Sequence, residues 1–499
     1  MGLWDDILVD MQFPKEGSKK TPTTFIIFGV TGDLAQKKLF PALLHLYSGG
    51  IMPPLFRIVG VSRRDMDDTG FRDFAKKTIF PSSEYDQKII DEFLSKVSYV
   101  QGQFDDNKLY AKLSGHLEKV DETFKSCSNK LFYLSVPPSL YELILTNLSF
   151  SGLTIPCKED WVGKSDSLVG WTRVLIEKPF GENIETARRL DKLLGSLFEE
   201  EQIFRIDHYL AKETIQNILT FRFSNTLFEP LWNKDHIQSV EINLLESGLV
   251  GRRAPFYDAN GALKDVGQNH MLQMLALVAM ERPASLHCSD VREMRAATLE
   301  QLETFSEESI ASCTLRAQYE GYQKEAGVAV GSETETFFSL ETRIDNERWQ
   351  GVPFFLTSGK ALAENATEIT LHFKDPDPAS FLPEQHSAQE HNDLTFCIQP
   401  NEGISLLFWT KVPGFEKKIE PKKLSFSYGD SPELQKIPDA YERVLYDCIE
   451  GDQTLFTSTR EVEAEWKFIM SVLNNWKKVP LSTYPKGTSA RVLCGNIEK

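Results

Sequence analysis

The chain has 499 residues, which is more than one hydrophobic core usually supports, so we expect two or three domains. Its 41% hydrophobic and 25% charged residues are typical of a soluble globular protein. Acidic residues outnumber basic ones by 72 to 55, and the formal net charge of -17 disfavours broad contact with nucleic acid or with anionic lipid.

The N-terminal segment and the cysteines indicate the cellular compartment in which the protein is expected. Residues 1–21, interpreted as an N-terminal extension, carry acids where a secretory signal carries bases, and no apolar run in the chain is long enough to span a bilayer. The seven cysteines form no C-x-x-C pair and no framework spacing. We therefore expect reduced thiols, no metal site and a cytoplasmic protein that does not bind membranes.

Residues 22–205 alternate short apolar runs with helical stretches. The runs include TFIIFG, FRIVGVSR, VSYVQGQF, NKLFYLSVPP and TRVLIEKPFG. This alternation predicts βαβ units around a parallel sheet, and therefore an α/β domain of Rossmann-like type. Residues 149–170 are rich in Gly, Ser and charge, which indicates an inserted surface loop.

The joint GVTGDLA, residues 29–35, follows the first apolar run. Gly29 ends a predicted strand, and Gly32 lies where a helix begins, so the backbone could approach a pyrophosphate. The usual fingerprint is G-x-G-x-x-G, whereas this chain has G-x-x-G-x-x-A, and a turn without a ligand is an equal alternative. A triphosphate loop is disfavoured because Asp33 and Leu34 stand where such a loop has Lys and Ser or Thr.

Two later strand ends carry basic residues. Arg63 and Arg64 follow the second predicted strand, where NAD enzymes generally have an acid, and arginine suits a 2′-phosphate. The predicted cofactor is therefore NADP. Lys178 of IEKPFG lies at the carboxyl end of another strand, where open α/β sheets bind ligands, although a solvent-exposed lysine is the simpler alternative.

The motif RIDHYLAKE, residues 205–213, begins the second half of the chain. We expect a helix YLAKETIQNILTFRF, with His208 and Lys212 four residues apart on one face, where they could hold a phosphate. A solvated helix face is the alternative. Period-two segments such as TFFSLETRID and ATEITLHFK then predict a mostly antiparallel sheet, so residues 206–499 are interpreted as a larger α+β domain.

His270 lies in the most apolar predicted helix, LKDVGQNHMLQML. A core histidine is the usual explanation, but histidine also suits proton abstraction near neutral pH when a carboxylate fixes its tautomer. Asp207 and Asp265 are both candidates for that carboxylate, and sequence spacing does not choose between them.

Five segments together carry a family resemblance. From about residue 22 to 485, the chain resembles the glucose-6-phosphate dehydrogenases through GVTGDLAQKKLFPAL, IEKPFG, RIDHYLAKETIQNI, DVGQNHMLQMLALVAME and WQGVPFFLTSGKAL. The resemblance implies a Rossmann domain and a larger β+α domain built on an antiparallel sheet. It also implies oxidation of glucose 6-phosphate to the 6-phosphogluconolactone by NADP, the first step of the oxidative pentose phosphate pathway.

The resemblance also assigns roles to matching positions. It makes His270 the base for the anomeric hydroxyl, with Asp207 as its paired carboxylate, and it places Lys178 near both sugar and cofactor. It implies that the further substrate-binding residues are His208, Tyr209, Lys212, Glu246, Asp265, Lys360 and Gln399. It implies that the cofactor-binding residues are Gly29, Gly32, Asp33, Leu34, Lys38, Arg63, Tyr141 and Lys178.

Some positions depart from the family pattern. Asn365 stands near a place where the family usually has a basic substrate contact. The second, structural NADP of the animal enzymes is not expected, because the corresponding positions carry no basic residue: Thr357, Ala366, Cys397 and Leu407. By resemblance we also expect a homodimer or homotetramer. A related hexose or sugar-phosphate dehydrogenase of broader specificity is the closest alternative, and a non-catalytic NADP-binding protein is a more distant one.

Overall fold

The computed structural model describes residues 21–80, 85–156, 170–375, 392–416, 418–430 and 437–495. Residues 1–20 of the predicted N-terminal extension and residues 157–169 of the predicted insertion lie outside the described residues. The chain divides into two compact units. The first comprises Met1–Gly181, Arg189–Ile206 and Asp439–Phe456, and the second comprises Glu182–Arg188, Asp207–Pro438 and Thr457–Lys499.

The first unit begins with six strands, which pair in parallel in the order β3-β2-β1-β4-β5-β6. The strands are β1 (Thr23–Phe28), β2 (Phe56–Ser62), β3 (Val97–Gln101), β4 (Asn129–Leu134), β5 (Thr172–Glu177) and β6 (Ile203–Ile206). Every residue of β1 and β4 is buried, which is why these segments are continuous apolar runs rather than alternating ones. The predicted parallel, Rossmann-like α/β sheet is confirmed.

Helices connect these strands as the sequence predicts. They are a π-helix (Ala35–Leu39), α1 (Phe40–Ser48), α2 (Asp68–Thr78), α3 (Gln87–Leu94), α4 (Asn107–Phe124), α5 (Tyr141–Phe150) and α6 (Ile184–Leu197). Short polar side chains start several of them: Asp67, Asp86 and Asp106 each accept a backbone N–H from the first turn of α2, α3 and α4.

The second unit begins with α7 (Glu213–Phe223) and holds most of a nine-stranded sheet. Its strands here are β7 (Ile237–Leu245), β8 (Thr314–Tyr319), β9 (Phe337–Thr342), β10 (Phe354–Gly359), β11 (Ala366–Phe373), β12 (Asp393–Gln399), β13 (Gly403–Lys411) and β14 (Ile419–Ser427). Its helices are α8 (Ala254–Asp258), a π-helix (Leu263–Met271) that continues directly as α9 (Leu272–Ala279), α10 (Cys288–Glu300) and α11 (Ile310–Cys313).

Residues 439–456 return to the first unit. They form α12 (Ala440–Glu450) and the start of β15 (Phe456–Thr457), which completes a seven-stranded sheet in the order β15-β6-β5-β4-β1-β2-β3. The Arg173 guanidinium donates to the carbonyls of Cys448 and Ile449 in the last turn of α12, and the Phe204 and Phe456 rings lie 4.7 Å apart. The predicted division was a single cut between residues 205 and 206. The contacts between residues place a boundary just after Ile206, one residue from the predicted one. They differ from the prediction in assigning residues 439–456 to the first unit.

The last elements belong to the second unit. They are α13 (Thr459–Leu473), β16 (Leu481–Tyr484) and α14 (Ala490–Cys494). The nine-stranded sheet has the order β14-β13-β12-β11-β7-β10-β9-β8-β16. Among the strand pairings of the described residues, β10 with β7 and β16 with β8 are parallel. The predicted mostly antiparallel sheet is confirmed. The π-helix and α9 are buried along their length and pack against α10 and α13, so the His270 segment lies inside this unit.

Two further expectations concern the whole chain. Within the described residues, no helix is both long and apolar enough to cross a membrane. The expectation that all thiols are reduced is wrong at one position, because Cys127 is disulfide-bonded. The free cysteines are Cys288, Cys313, Cys397, Cys448 and Cys494. Sequence spacing did not indicate the disulfide, because the cysteines form no recognisable framework pattern.

Candidate active site

In the first unit, the turn after β1 brings two backbones into close contact. Gly29 has φ +79°, and a Cβ atom at this position would collide with the carbonyl oxygen of Ser135, which follows β4. Gly32 donates its N–H to the Gly29 carbonyl over 2.8 Å, which closes the turn ahead of the π-helix. Glycine is therefore required at position 29 both for the backbone conformation and for space.

This turn fits a nicotinamide dinucleotide. Ser135 lies at the carboxyl end of β4, beside the carboxyl end of β1, which is the sheet edge where such folds bind ligands. Its buried hydroxyl oxygen has no hydrogen-bond partner among the described residues, so a polar ligand atom could supply one. Sequence reasoning missed Ser135, and the signal that could have identified it is its position immediately after a buried parallel strand.

The side chains near the turn are engaged with one another. Asp33 accepts a hydrogen bond from Lys37 at 2.6 Å, which lowers the pKa of the Asp33 carboxyl group, and Lys38 pairs with Asp439 at 3.0 Å. The Lys37 and Asp33 side chains are largely exposed and those of Lys38 and Asp439 are nearly half exposed, so solvent screens both ion pairs and they add little stability. The predicted cofactor contacts of Asp33, Leu34 and Lys38 stay predictions.

The segment after β2 separates its two arginines. The Arg64 guanidinium lies over the Phe74 ring at 5.3 Å. Arg63 is exposed and forms no ion pair with the described carboxylates. Of the nearby acids, Asp67 caps α2 and Asp68 accepts the backbone N–H of Tyr99. The predicted contact of Arg63 with a 2′-phosphate stays a prediction.

Tyr141 and Lys178 are linked through the end of β5. The Tyr141 side chain is 1% exposed, and its hydroxyl donates to the backbone carbonyl of Glu177, the residue before Lys178, at 2.9 Å. Burial raises the pKa of this hydroxyl. Because Tyr141 lies inside the unit, its predicted cofactor contact would have to act through the backbone at Glu177 and Lys178. Lys178 itself is half-buried and precedes a cis proline.

In the second unit, His270 and Asp207 form a buried pair. The Nδ1 atom of His270 lies 2.5 Å from Oδ1 of Asp207, and both side chains are 2% exposed. The other candidate, Asp265, accepts instead from Arg253 at 2.8 Å. Of the two carboxylates that the sequence left as candidates, Asp207 is therefore the partner of His270. An Nδ1 proton held by this carboxylate leaves Nε2 as the basic nitrogen of a neutral imidazole.

The residues around this pair do not form the predicted helix. His208 to Lys212 lie in a turn, and α7 begins only at Glu213. Asp207 causes this, because its side chain accepts the backbone N–H of Tyr209 at 2.9 Å and its carbonyl accepts that of Leu210. The expectation that His208 and Lys212 share a helix face is wrong.

The turn still places the predicted residues together. The His208 and Tyr209 rings lie 4.7 and 4.1 Å from the His270 ring, measured between centroids. Burial, assisted by the charge of Glu246, raises the pKa of Tyr209 to about 12, so its phenol is a neutral donor at ordinary pH. The ligand atoms of Asp207, His208 and His270 are close enough for a cation, within 4.8 Å of one another. We assign them to proton transfer because Asp207 already holds the His270 imidazole.

Donor and acceptor pairs surround the site. Lys212 donates to Gln399 at 3.0 Å, and Gln399 donates to Thr367 at 3.1 Å. Lys360 pairs with Glu246. Thr367 was missed by sequence reasoning, because it lies on β11 away from any motif. Asn365, where a basic contact was expected to be missing, is exposed just before β11.

The two units together carry the groups for one class of reaction. The first has a glycine turn and an arginine suited to a phosphorylated dinucleotide. The second has a buried histidine and carboxylate pair beside cations and hydrogen-bonding groups. A histidine held in this way can accept a proton from a hydroxyl group as the carbon bearing it loses hydride.

Comparison with known proteins gives one consistent result. The family model "Glucose-6-phosphate dehydrogenase, NAD binding domain" matches residues 26–217, and "Glucose-6-phosphate dehydrogenase, C-terminal domain" matches residues 219–492. The chain is 40% identical over 485 residues to a glucose-6-phosphate 1-dehydrogenase of Chlamydia pneumoniae, covering 94% of this chain and 93% of that protein. It is 40% identical over 483 residues to one of Treponema pallidum, covering 94% and 92%.

Solved structures agree with the sequence matches. A glucose-6-phosphate dehydrogenase in complex with its substrate glucose-6-phosphate superposes with a TM-score of 0.85 at 32% identity, covering 97% of this chain and 99% of that one. A glucose-6-phosphate 1-dehydrogenase from Mycobacterium avium gives a TM-score of 0.80 at 33% identity, covering 95% and 97%.

Proposed function

The chain belongs to the glucose-6-phosphate dehydrogenase family, and we propose that it oxidises D-glucose 6-phosphate at C1 to 6-phospho-D-glucono-1,5-lactone with NADP⁺ as the hydride acceptor. It is an oxidoreductase with a domain for a nicotinamide cofactor. The observation that carries the proposal is the 2.5 Å hydrogen bond between His270 and Asp207, beside groups that suit a phosphorylated sugar.

His270 acts as the general base. Its Nε2 accepts the proton of the C1 hydroxyl, while Asp207 holds the Nδ1 proton and stabilises the imidazolium that forms. When bound, the cofactor supplies the hydride acceptor. Gly29, Gly32 and Ser135 would hold it at the turn after β1, and Lys178 is assigned by family membership to a place near both ligands.

The sugar phosphate is held by the residues around the dyad. Lys212, His208 and the Tyr209 phenol supply cationic and hydrogen-bonding groups for the phosphate. Glu246 and Asp265 accept from sugar hydroxyls, and the remaining substrate contacts are Lys360 and Gln399. In the structure Lys212 pairs with Gln399, Lys360 pairs with Glu246, and Asp265 pairs with Arg253. These hydrogen bonds and ion pairs give the polar groups partners until the substrate replaces them.

Arg63 supports a preference for NADP over NAD, because a guanidinium group binds a phosphate through two parallel hydrogen bonds. We infer one NADP per chain, since the positions of a second site are Thr357, Ala366, Cys397 and Leu407, none of them basic.

We also infer a homodimer or homotetramer, as the family resemblance implies, and a cytoplasmic location. Light scattering after gel filtration should give twice or four times the chain mass of 56.8 kDa, and the chain mass itself would contradict the assembly.

A cofactor and substrate matrix tests the function. Nicotinamide absorbance is followed with NADP or NAD, and with glucose 6-phosphate or glucose. We expect turnover with NADP and glucose 6-phosphate, and a much lower kcat/KM for glucose. Equal kcat/KM for both sugars would indicate a hexose dehydrogenase of broader specificity, and tight NADP binding without turnover would indicate a binding protein.

The phosphate contact is tested with Lys212→Ala on the same matrix. Because the lysine would contact only the phosphate, kcat/KM for glucose 6-phosphate should fall by about 10-fold to 100-fold, as expected for loss of a charge-assisted hydrogen bond. The kcat/KM for glucose should stay within about twofold. An equal loss for both sugars would remove Lys212 from the phosphate site.

A further inference from the structure

A second carboxyl group is buried beside the helix that carries His270. Glu465 lies on α13 and is 2% exposed. None of the site residues assigned above makes use of it. A fully buried ionisable side chain is costly to keep unless its polar atoms have defined partners, so its contacts indicate its role.

Glu465 accepts hydrogen bonds from two amides that bracket His270. Gln268 donates to Oε2 at 3.1 Å, and Gln273 donates to Oε1 at 2.7 Å. Gln268 precedes His270 by two residues, and Gln273 follows it by three. Both glutamines are 1% exposed. One carboxyl group therefore ties α13 to the helix on both sides of the proposed base.

The geometry of the helix that carries His270 explains why hydrogen bonds to a neighbouring helix would be needed to hold it. Leu263–Met271 is a π-helix, a conformation with wide turns that is rare and found mostly at functional sites. The segment also contains buried polar side chains, and a buried amide that loses its hydrogen-bond partner destabilises the folded state. Within the segment, Asn269 accepts the backbone N–H of His270 at 2.8 Å, so a shift of this backbone also moves the histidine.

Other charged groups near Glu465 have different partners. Glu461, one turn earlier on α13, pairs with Arg295 at 2.8 Å, and both side chains are fully buried. Burial raises the pKa of Glu465 well above its ordinary value, the charges of Glu461 and Asp207 raise it further, and the Gln273 hydrogen bond and Arg295 oppose the rise. The contacts that define the role of this carboxyl group are its two hydrogen bonds, one to Gln268 and one to Gln273.

We propose that Glu465 is a positioning residue for proton transfer, which holds the π-helix through Gln268 and Gln273 so that His270 keeps its geometry against Asp207. The proposal rests on the proposed function of His270 as the base. It assigns Glu465 no contact with either ligand.

Substitution by alanine tests the loss of both hydrogen bonds. Glu465→Ala should lower kcat by about 10-fold to 100-fold, because small misplacements of a catalytic group have effects of that size. The KM for glucose 6-phosphate should stay within about twofold, since the Lys212 and Gln399 contact lies on other elements. A downfield proton resonance from the short His270 and Asp207 hydrogen bond should weaken or shift.

Substitution by glutamine separates positioning from charge. Glu465→Gln keeps the shape and two hydrogen-bonding atoms, and either neighbouring amide can rotate to present its oxygen to the new NH₂ group. This variant should keep at least about half of the wild-type kcat, the same pH profile of kcat/KM and the downfield resonance. A loss as large as that of Glu465→Ala, or a shifted pH profile, would contradict the proposal.

Glu461→Gln is the matched control. It changes a buried carboxyl group on the same helix, and this group pairs with Arg295, whereas both glutamines donate to Glu465. It should lower the melting temperature while kcat of the folded protein stays within about twofold. If Glu465→Ala does not fold, Gln273→Ala carries the test, and it should show the same split between kcat and KM.

The outcomes separate this proposal from the proposed function. Folded Glu465→Ala with wild-type kcat and an unchanged downfield resonance would overturn the positioning role, even when His270→Asn is inactive. Inactivity of the wild-type protein, or full activity of His270→Asn, would overturn the proposed function instead. The resonance reports on the His270 and Asp207 hydrogen bond without any turnover.

Discussion

At the scale of single residues, the tautomer of the His270 imidazole depends on its carboxylate partner. The 2.5 Å contact with Asp207 favours a proton on Nδ1 of His270, which leaves Nε2 for the proposed role as base. Asp265, closer in sequence and on the same helix, is engaged by Arg253 instead. The proposed proton transfer therefore depends on a pairing between residues 63 positions apart in the chain.

Replacing the base should affect turnover more than binding. His270→Asn keeps a polar side chain but removes the basic nitrogen, so kcat should fall by about 10² to 10⁴, as expected for loss of a general base. The KM for glucose 6-phosphate should change much less. Steady-state kinetics with saturating NADP measures both. His287→Asn, which retains a side chain able to cap α10, should keep wild-type kcat. Near-normal turnover of His270→Asn would place the base elsewhere.

Arg63 should decide between the two nicotinamide cofactors. Arg63→Ala removes the guanidinium group proposed for the 2′-phosphate, so kcat/KM for NADP should fall by about 10-fold to 100-fold, a loss typical of a charged hydrogen bond. The kcat/KM for NAD should stay within about twofold. Arg64→Ala is the control, because that side chain lies over Phe74. An equal loss for both cofactors would argue against 2′-phosphate recognition.

At the scale of elements, three strands of the large sheet hold a charged histidine. His372 on β11 pairs through Nδ1 with Asp393 on β12 at 2.7 Å, and its Nε2 lies 3.4 Å from Glu241 on β7. Burial lowers the pKa of His372, but hydrogen bonds to both carboxylates outweigh it and raise the pKa to about 9. The charge of Arg491 also acts on Glu241.

This pairing predicts a pH dependence of stability. Because the folded-state pKa of His372 exceeds its ordinary value of 6.5, the stabilisation is fully present below pH 6.5 and is lost as pH rises through 9. His372→Gln should therefore be less stable than wild type below pH 6.5, and the difference should shrink above pH 9. Denaturant unfolding at several pH values measures it. A difference that stays constant with pH would mean that the pair adds no pH-dependent stability.

At the scale of the whole molecule, an acidic chain must bind two phosphorylated anions. The net charge of -17 opposes both, so the attraction has to be local, and the structure concentrates basic groups at the turn after β2 and around the His270 pair. The sequence predicts no further basic cluster at the positions of a second cofactor. Thr357, for example, is buried and hydrogen-bonded to Ser339 on the neighbouring strand.

The number of cofactors per chain is therefore a prediction about the whole molecule. Isothermal titration of the assembled protein with NADP should give one site per chain, because the positions of the second site are uncharged. Arg63→Ala should weaken that one site. Two sites per chain, of which one is unaffected by Arg63→Ala, would contradict the prediction.

The sequence by itself determined the two fold classes and most of the order of their elements, and it proposed a set of site residues that did not include Ser135 or Thr367. Buried parallel strands produce continuous apolar runs and half-exposed antiparallel strands produce alternation, and both patterns are local. The glycine turn, the arginine after β2 and the five family segments are likewise short stretches of chain, so they could be identified without any knowledge of packing.

Only the tertiary structure decided what these residues do to one another. It paired His270 with Asp207, made a turn of residues 208–212, returned 439–456 to the first unit, and placed Ser135 against Gly29 and Glu465 against the His270 helix. Apart from the turn, which Asp207 forms with its near neighbours, each of these depends on contacts between residues far apart in the chain. Local patterns carry no information about such contacts, because burial and hydrogen bonding are settled only when distant segments pack together.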